Sequence, residues 1–473
     1  MRAIALADFG STFTKLTIVE EGTGRLLASA SAPTSIETDV MEGYGEALGE
    51  ALARLGDGVE ITDRLAASSA GGGLRLAAVG LVPELTANAA KQAALNAGAR
   101  IELVLAGRLE KEDVSLLEAK RPEIVLFSGG TDGGQRRQVL ENAETLAAAS
   151  FGCHVIVACN SAIAAAAADL FAEKGHGVEV VENVLPAIDR LHIEPARRAV
   201  HEAFIRHVIR GKGLSQTEEF GRTVAMPTPE AVLEATRLLA RGEDGKAGIG
   251  DVVVVDIGGA TTDVHSAVAL RPARVGVSHA GLPPLPLTRS VQGDLGMRWS
   301  APGVLDADRA WLEDEAEAWG LGEAALSAAC EHRHAEPGFM PDDGTETRLD
   351  RALAVSCLAH AIRRHSGQLS TVYVPNQGAN FVQQGLDLRE VPLVIGTGGM
   401  LVHSPEGENL LGAAFERQSK ESLAPKNPAI TLDSNYILAS AGLLATKDPG
   451  AALALLRSEF GSAKAVSPRN ACG

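Results

Sequence analysis

A chain of 473 residues, 45% of them hydrophobic, carries enough apolar material for two or three domains, and aromatics at only 4% beside plentiful Ala, Gly, Val and Leu argue for an α/β protein rather than a β-sandwich. A net charge of −17 with a pI near 5.2 excludes broad nucleic-acid binding, because neutralising phosphates takes concentrated Lys and Arg. No uncharged apolar run reaches the roughly 18 residues of a membrane span, and Asp8 interrupts the N-terminal run where a signal peptide needs continuity, so the chain reads as cytoplasmic.

Ile4 to Val19, IALADFGSTFTKLTIV, reads as an apolar strand, an aspartate, a polar turn with glycine and a second strand; a further strand follows a turn at Glu20 to Gly24. Gly45 to Leu55 predicts a helix. Ala66 to Gly73 is a flexible connector into a strand at Leu74 to Val79, without a charge pair for phosphate. Helices are expected over Thr86 to Gly98 and Glu110 to Lys120, with a strand at Ile101 to Leu105 between them. Glu123 to Phe127 is a short buried strand that runs into SGGTDGG, the kind of loop found at the carboxyl edge of a parallel sheet, where open α/β folds place ligands. Thr131 and Asp132 then either face such a cleft or cap a helix over Gln135 to Ser150. HVIVACNS leads into an Ala-rich helix at Ser161.

Ile188 to Lys212 carries Arg190, Arg197, Arg198, Arg206, Arg210 and Lys212 with His192, His201 and His207, which is either a solvated face or a surface for an acidic partner. Gly211 to Gly250, with Pro227, Pro229 and GEDGKAGIG, looks like a boundary between an N-terminal lobe, 1–250, and a C-terminal lobe, 251–473. Asp251 to Ser266, DVVVVDIGGATTDVHS, repeats the opening pattern: Asp8 aligns with Asp256, Gly10 with Gly258 and Thr14 with Thr262. Pro272 to Ala301 predicts an irregular connection. Trp299, Trp311 and Trp319 follow beside acidic helical sequence and mark an interface or a small local core. Arg351 to His365 reads as helix, Thr371 to Val374 as strand, and VPLVIGTGGMLVHS at Val391 to Ser404 as a third apolar run ending in glycines. Five scattered cysteines, Cys153, Cys159, Cys330, Cys357 and Cys472, read as thiols of a reducing compartment; Cys330 with His332 and His334, or Cys357 with His360, lack zinc spacing.

A polyphosphate tail needs backbone N–H groups unobstructed by Cβ atoms, short hydroxyls and a cation. Both Asp-Gly-Thr hairpins offer these, and Lys15 adds a point charge. Mg²⁺ keeps several waters and needs only one or two carboxylates, which Asp8 and Asp256 supply at equivalent strand ends.

At these residues DFGSTFTK (Asp8 to Lys15) and DIGGATTD (Asp256 to Asp263) resemble the two phosphate motifs of the actin, sugar-kinase and chaperone-ATPase superfamily, and GTGG (Gly396 to Gly399) resembles its adenosine motif. More narrowly, FSGGTDGG at Phe127 to Gly134, NVLPAIDRLHIEPAR at Asn183 to Arg197 and VVVDIGGATTDVHS are similar to the glutamate mutase accessory family called MutL or GlmL, which is unrelated to the mismatch-repair protein sharing the first name. The resemblance implies an α/β, two-lobed actin-like (ribonuclease H-like) ATPase fold, with a five-stranded mixed sheet in each lobe and MgATP in a cleft between them. It places Gly10, Ser11, Thr12 and Lys15 on the phosphates from one side, Gly258, Gly259, Thr261 and Thr262 from the other, and Gly396, Gly398 and Gly399 under the adenosine. Asp8 and Asp256 would hold Mg²⁺ through water, and Asp256 or Asp263 would orient the attacking water. Ala260 stands where related ATPases often carry glycine or a hydroxyl residue, which implies slow hydrolysis. The helix from Ser161 would meet Asn435 to Thr446 at a hinge, through Ala164, Ala165, Ala441 and Gly442. Family members are encoded with adenosylcobalamin-dependent mutases and act as ATP-dependent reactivases, so ATP and such a mutase are the expected partners. A small-molecule kinase and a nucleotide-gated assembly protein are the alternatives.

Overall fold

The computed structural model describes residues 1–56, 58–150, 152–206, 214–215, 217–271, 276–341, 344–374 and 378–462; His207, Arg210, Lys212 and Cys472 lie outside the described residues. The chain forms two compact units, one of Met1–Ala235, Gly281–Pro283 and Leu438–Leu455, the other of Thr236–Ala280, Pro284–Ile437 and Leu456–Gly473.

In the first unit a five-stranded mixed sheet is ordered Val224–Pro227, Glu60–Ser68, Arg2–Phe9, Phe13–Glu20, Leu26–Pro33. The last three run antiparallel to one another, and the first two run parallel to Arg2–Phe9. Ala3 through Phe9 are all buried, since this central strand is covered on both faces and reads as a continuous apolar run. The helix Val40–Leu55 packs on Phe13–Glu20 and Leu26–Pro33. It starts before the predicted Gly45 because Asp39 caps it, accepting from Met41 N at 2.8 Å.

Between Glu60–Ser68 and Val224–Pro227 the chain builds a second five-stranded sheet, wholly parallel, in the order Arg100–Ala106, Arg75–Gly80, Ile124–Phe127, His154–Val157, Gly177–Val180. Its strands alternate with the helices Asn88–Asn96, Lys111–Lys120, Arg137–Ala147, Ala164–Glu173 and Glu194–Phe204, which is the doubly wound 2-1-3-4-5 arrangement. In the same unit Gly442 lies against Ala231 of Thr228–Arg241, whose carbonyl oxygen would be 1.9 Å from an added Cβ. The close approach expected between Gly442 and Ala164 or Ala165 is therefore replaced: Ala164–Glu173 packs on Arg137–Ala147 and Gly177–Val180.

The second unit repeats the topology of the first mixed sheet. Its order is Leu287–Gln292, Thr262–Ala267, Val252–Ile257, Leu393–Thr397, Ala429–Leu432, with the first three antiparallel and the last two parallel to Val252–Ile257. Leu287–Gln292 falls inside the predicted irregular connection. Its sequence, LTRSVQ, is polar and mostly half-buried at a sheet edge, so it shows no apolar alternation, and the prolines before it read as loop. Val253, Val255 and Ile257 share one core with the helices Ala301–Ala307, Arg309–Ala318, Glu323–Ala335, Gly344–His365 and Gly407–Glu416. Trp311 and Trp319 pack against this core, the local-core alternative, whereas Trp299 is 56% exposed. A three-stranded sheet, Val277–Ala280, Gly378–Gln384, Gln368–Val374, completes the unit.

Candidate functional site

The two aspartate hairpins share their register and the glycine N–H bond that closes each turn. Gly10 N donates to Phe13 O at 3.2 Å and Gly258 N to Thr261 O at 2.8 Å, while Phe9 pairs with Thr14 and Ile257 with Thr262. Each aspartate thus sits at the carboxyl end of the central strand of its own mixed sheet. Asp8 is buried, accepts from Thr228 Oγ1 at 2.5 Å and faces Lys15 across the ladder. Burial raises its pKa, and Lys15 and Thr228 oppose that rise. Asp256 is half-buried, with Asp263 opposite it on the antiparallel side and Thr397 beside it on the parallel side.

Ser11 and Thr12 are exposed, and Gly10, Lys15, Gly258, Gly259 and Thr261 are half-buried. Thr262 differs from its expected role: it is fully buried, and its hydroxyl donates to Leu295 O at 2.9 Å, because it begins a strand covered by Leu295. Asp263 is held in a buried ion pair, with Arg289 Nη2 at 2.6 Å and Nε at 2.8 Å from Oδ1 and Thr261 Oγ1 at 3.1 Å from Oδ2.

The third turn lies beside the second because Leu393–Thr397 and Val252–Ile257 are parallel neighbours. Gly398 has φ +100, and a Cβ there would stand 2.2 Å from Ile257 O; one on Gly396 would meet Leu401 and Leu432 at 2.9 Å. What bars a side chain at these two positions is therefore the protein itself. Gly399 is exposed and has only His403 nearby, at 3.8 Å from a built Cβ.

Several residues near these turns carried no sequence signal. His403 Nε2 and Tyr436 Oη are 3.1 Å apart, and burial, with Asp256 and Asp433 nearby, pushes the Tyr436 hydroxyl up to about 12. Asp433 N donates to Gly396 O at 2.9 Å and its Oδ1 accepts from Ile437 N at 2.8 Å, a helix-capping bond. Asp433 could have been read as a cap; Thr228 comes from the start of a helix, Arg289 from a strand, and His403 and Tyr436 from loops.

Asp132 is exposed and does not cap the helix Arg137–Ala147. Its Oδ1 accepts from Ser161 N at 2.9 Å and Asn183 Nδ2 at 3.0 Å, and its N donates to Pro186 O at 2.9 Å. FSGGTDGG and NVLPAID, far apart in sequence, are thereby clasped together at the carboxyl edge of the parallel sheet. In the basic stretch, Arg197 and His201 hold Glu230 at 2.7 and 2.6 Å, so part of that charge is spent inside the fold. Cys153, Cys159, Cys330 and Cys357 are free thiols, and burial raises the pKa of each. Among the described residues no group of three or more His, Cys, Asp or Glu is arranged to hold a metal ion, and no helix is long and apolar enough to cross a membrane.

The family model described as MutL protein matches residues 4–460. A protein of Clostridium tetanomorphum named Protein MutL is 40% identical over 464 residues, covering 97% of this chain and 99% of its own. The chain belongs to the MutL family. Likeness to solved structures is looser: a ROK family glucokinase from Streptomyces griseus in complex with glucose and AMPPNP is 14% identical with a TM-score of 0.31, over 95% of this chain and 98% of its own. A glycerol dehydratase reactivase is 12% identical with a TM-score of 0.34, over 94% and 99%. For this MutL family member the architecture, two matching mixed sheets and a separate parallel sheet, stands on its own strand order and register.

Proposed function

We propose that the chain binds MgATP and uses it as an accessory, reactivating ATPase for an adenosylcobalamin-dependent mutase such as glutamate mutase or a related aminomutase. The observation that carries the nucleotide reading is the pair of Asp-Gly-Thr hairpins, one in each unit, with the same register and the same glycine N–H bond across the turn. Membership of the MutL family supports the accessory role. The phosphate-contacting residues proposed are Gly10, Ser11, Thr12 and Lys15 of the first hairpin and Gly258, Gly259 and Thr261 of the second, with Gly399 the glycine of the third turn open to adenosine.

Mg²⁺ suits the donor chemistry. Asp8 is a buried carboxylate whose charged form is penalised, so a cation beside it is favoured, and Asp256 presents a second oxygen donor at the equivalent strand end. When bound, the ion would neutralise charge on the phosphate oxygens. Of the two candidates for orienting water, Asp256 stands at the strand end equivalent to Asp8, whereas both Asp263 oxygens already bind Arg289 and Thr261, so the role is given to Asp256 on its position. Ala260 narrows the donors available in that turn and fits slow basal hydrolysis.

Phosphate release assayed with and without a purified adenosylcobalamin-dependent mutase is the test. Stimulation by inactivated mutase is expected. A phosphorylated metabolite in place of free phosphate would replace this reading with a kinase, and nucleotide-dependent polymer would replace it with an assembly protein.

A further inference from the structure

The second hairpin turn is gripped from behind. Gly258 O accepts from Met297 N at 3.0 Å, Gly259 O from Arg298 N at 2.8 Å and Ala260 O from Ser300 Oγ at 2.6 Å. Three successive carbonyls therefore face the segment 297–300. In a planar trans peptide the C=O and the N–H of the next residue point in opposite directions, so the N–H groups of Gly259, Ala260 and Thr261 are directed away from that segment. None of the three has an acceptor among the described residues. Consecutive N–H groups aimed alike form a cradle for an anion.

The segment is itself anchored. Arg298 reaches Asp350 with Nη2 at 2.9 Å and Nη1 at 3.4 Å, and Arg333 Nε reaches the same carboxylate at 2.7 Å. Asp350 and Arg333 are buried, and Arg333 Nη2 also meets Glu346 at 2.7 Å. Arg298 Nε donates to Phe339 O at 3.1 Å, which leaves its guanidinium little freedom. Gly296 allows the approach, since a Cβ there would stand 2.5 Å from the Ala260 carbonyl carbon. Two guanidiniums on the buried Asp350 cost desolvation and add little net stability over apolar packing, and what the arrangement does supply here is a fixed position for residue 298. Here the geometry in question is that of a Gly-Gly pair, whose peptides would otherwise rotate readily.

We propose that Arg298, fixed by Asp350 and Arg333, is a positioning residue that sets the peptide orientations of the Gly258–Thr261 turn and so its affinity for a phosphate tail. The proposal rests on the reading that this turn binds polyphosphate. Preorganised donors bind charge without reorganisation, which is what the 297–300 segment supplies.

Tripolyphosphate and adenosine, titrated separately into the full chain by calorimetry, divide the nucleotide into its two ends. Arg298→Ala is expected to weaken tripolyphosphate and MgATP by roughly tenfold or more and to leave adenosine within about twofold, with Arg298→Lys recovering part of the loss. Circular dichroism checks the fold. Ser300→Ala leaves the buried network whole and removes only the hydroxyl from Ala260 O and Gly293 O; it is expected to show the same split at smaller size, and it stands in if Arg298→Ala does not fold. Unchanged MgATP affinity in the folded variants, or adenosine lost in parallel, overturns the positioning role. A parent chain that binds neither MgATP nor tripolyphosphate overturns the polyphosphate reading, and the positioning role with it.

Discussion

Asp256 and Asp263 face each other across one ladder, yet their surroundings divide them. Asp256→Asn should leave the fold intact and lower MgATP turnover by roughly 100-fold, since a charged organiser of metal and water is lost. Phosphate release from a variant with native circular dichroism checks this, and unchanged turnover would remove Asp256 from the mechanism. Asp263→Asn should act on stability instead, because the buried guanidinium of Arg289, 4% exposed, would lose the carboxylate charge at 2.6 Å, at a cost of about 2 kcal/mol. Gly398→Ala should likewise destabilise, by roughly 2 kcal/mol or more, because its positive φ and the 2.2 Å approach to Ile257 O both resist a Cβ. Gly399→Ala should be nearly neutral for thermal stability and weaken nucleotide binding. Thermal midpoints with and without MgATP separate the two glycines, which the GTGG motif alone presents as equals.

At the scale of elements, the helix Gly344–His365 ends by laying His365 against two neighbouring strands, with Ser290 Oγ at 2.8 Å from Nδ1 and Ser266 Oγ at 2.9 Å from Nε2. Burial depresses its pKa from 6.5 to about 4, and the buried His265 is depressed in the same way. The fold therefore holds a neutral imidazole that the unfolded chain protonates below pH 6.5. Stability from this group is complete above pH 6.5 and is lost as pH falls from there to about 4, by about 3 kcal/mol in all. His365→Gln should flatten the fall of thermal midpoint across that window, and an unaltered slope would assign the acid sensitivity elsewhere. Gly442→Leu tests a different contact. With Ala231 O already 1.9 Å from a built Cβ, the bulky side chain should cost about 3 kcal/mol by forcing two helices of the first unit apart. Chemical denaturation would show it, and a midpoint equal to that of the parent would deny the contact.

For the molecule as a whole, MgATP that binds only the folded state should raise the thermal midpoint, by an amount equivalent to about 2.7 kcal/mol at a hundredfold excess over Kd, whereas Asp256→Asn should show a smaller rise. Equal rises in parent and variant would place the nucleotide away from the second hairpin. What the sequence determined by itself was the internal duplication. IALADFGSTFTKLTIV and DVVVVDIGGATTDVHS carry their strands as apolar runs and their turns as glycines, so the Asp8 and Asp256 equivalence, the central strands of both mixed sheets and the family were all legible in local pattern. Local pattern fails where a strand is polar and at an edge, as with Leu287–Gln292, and where a helix packs on a partner remote in sequence, as Gly442 does on Ala231. Nor did it show that the strands from Arg75 to Val180 form a second, parallel sheet beyond the one mixed sheet expected in each lobe. Tertiary structure alone decided that Thr262 serves Leu295, that Asp263 is tied to Arg289, that Asp132 clasps Ser161 and Asn183, and that Arg298 stands behind the second turn. The physical reason is the same in each case: a hydrogen bond or ion pair is set by which groups the packing of distant strands brings within about 3 Å, and spacing along the chain carries no record of that distance.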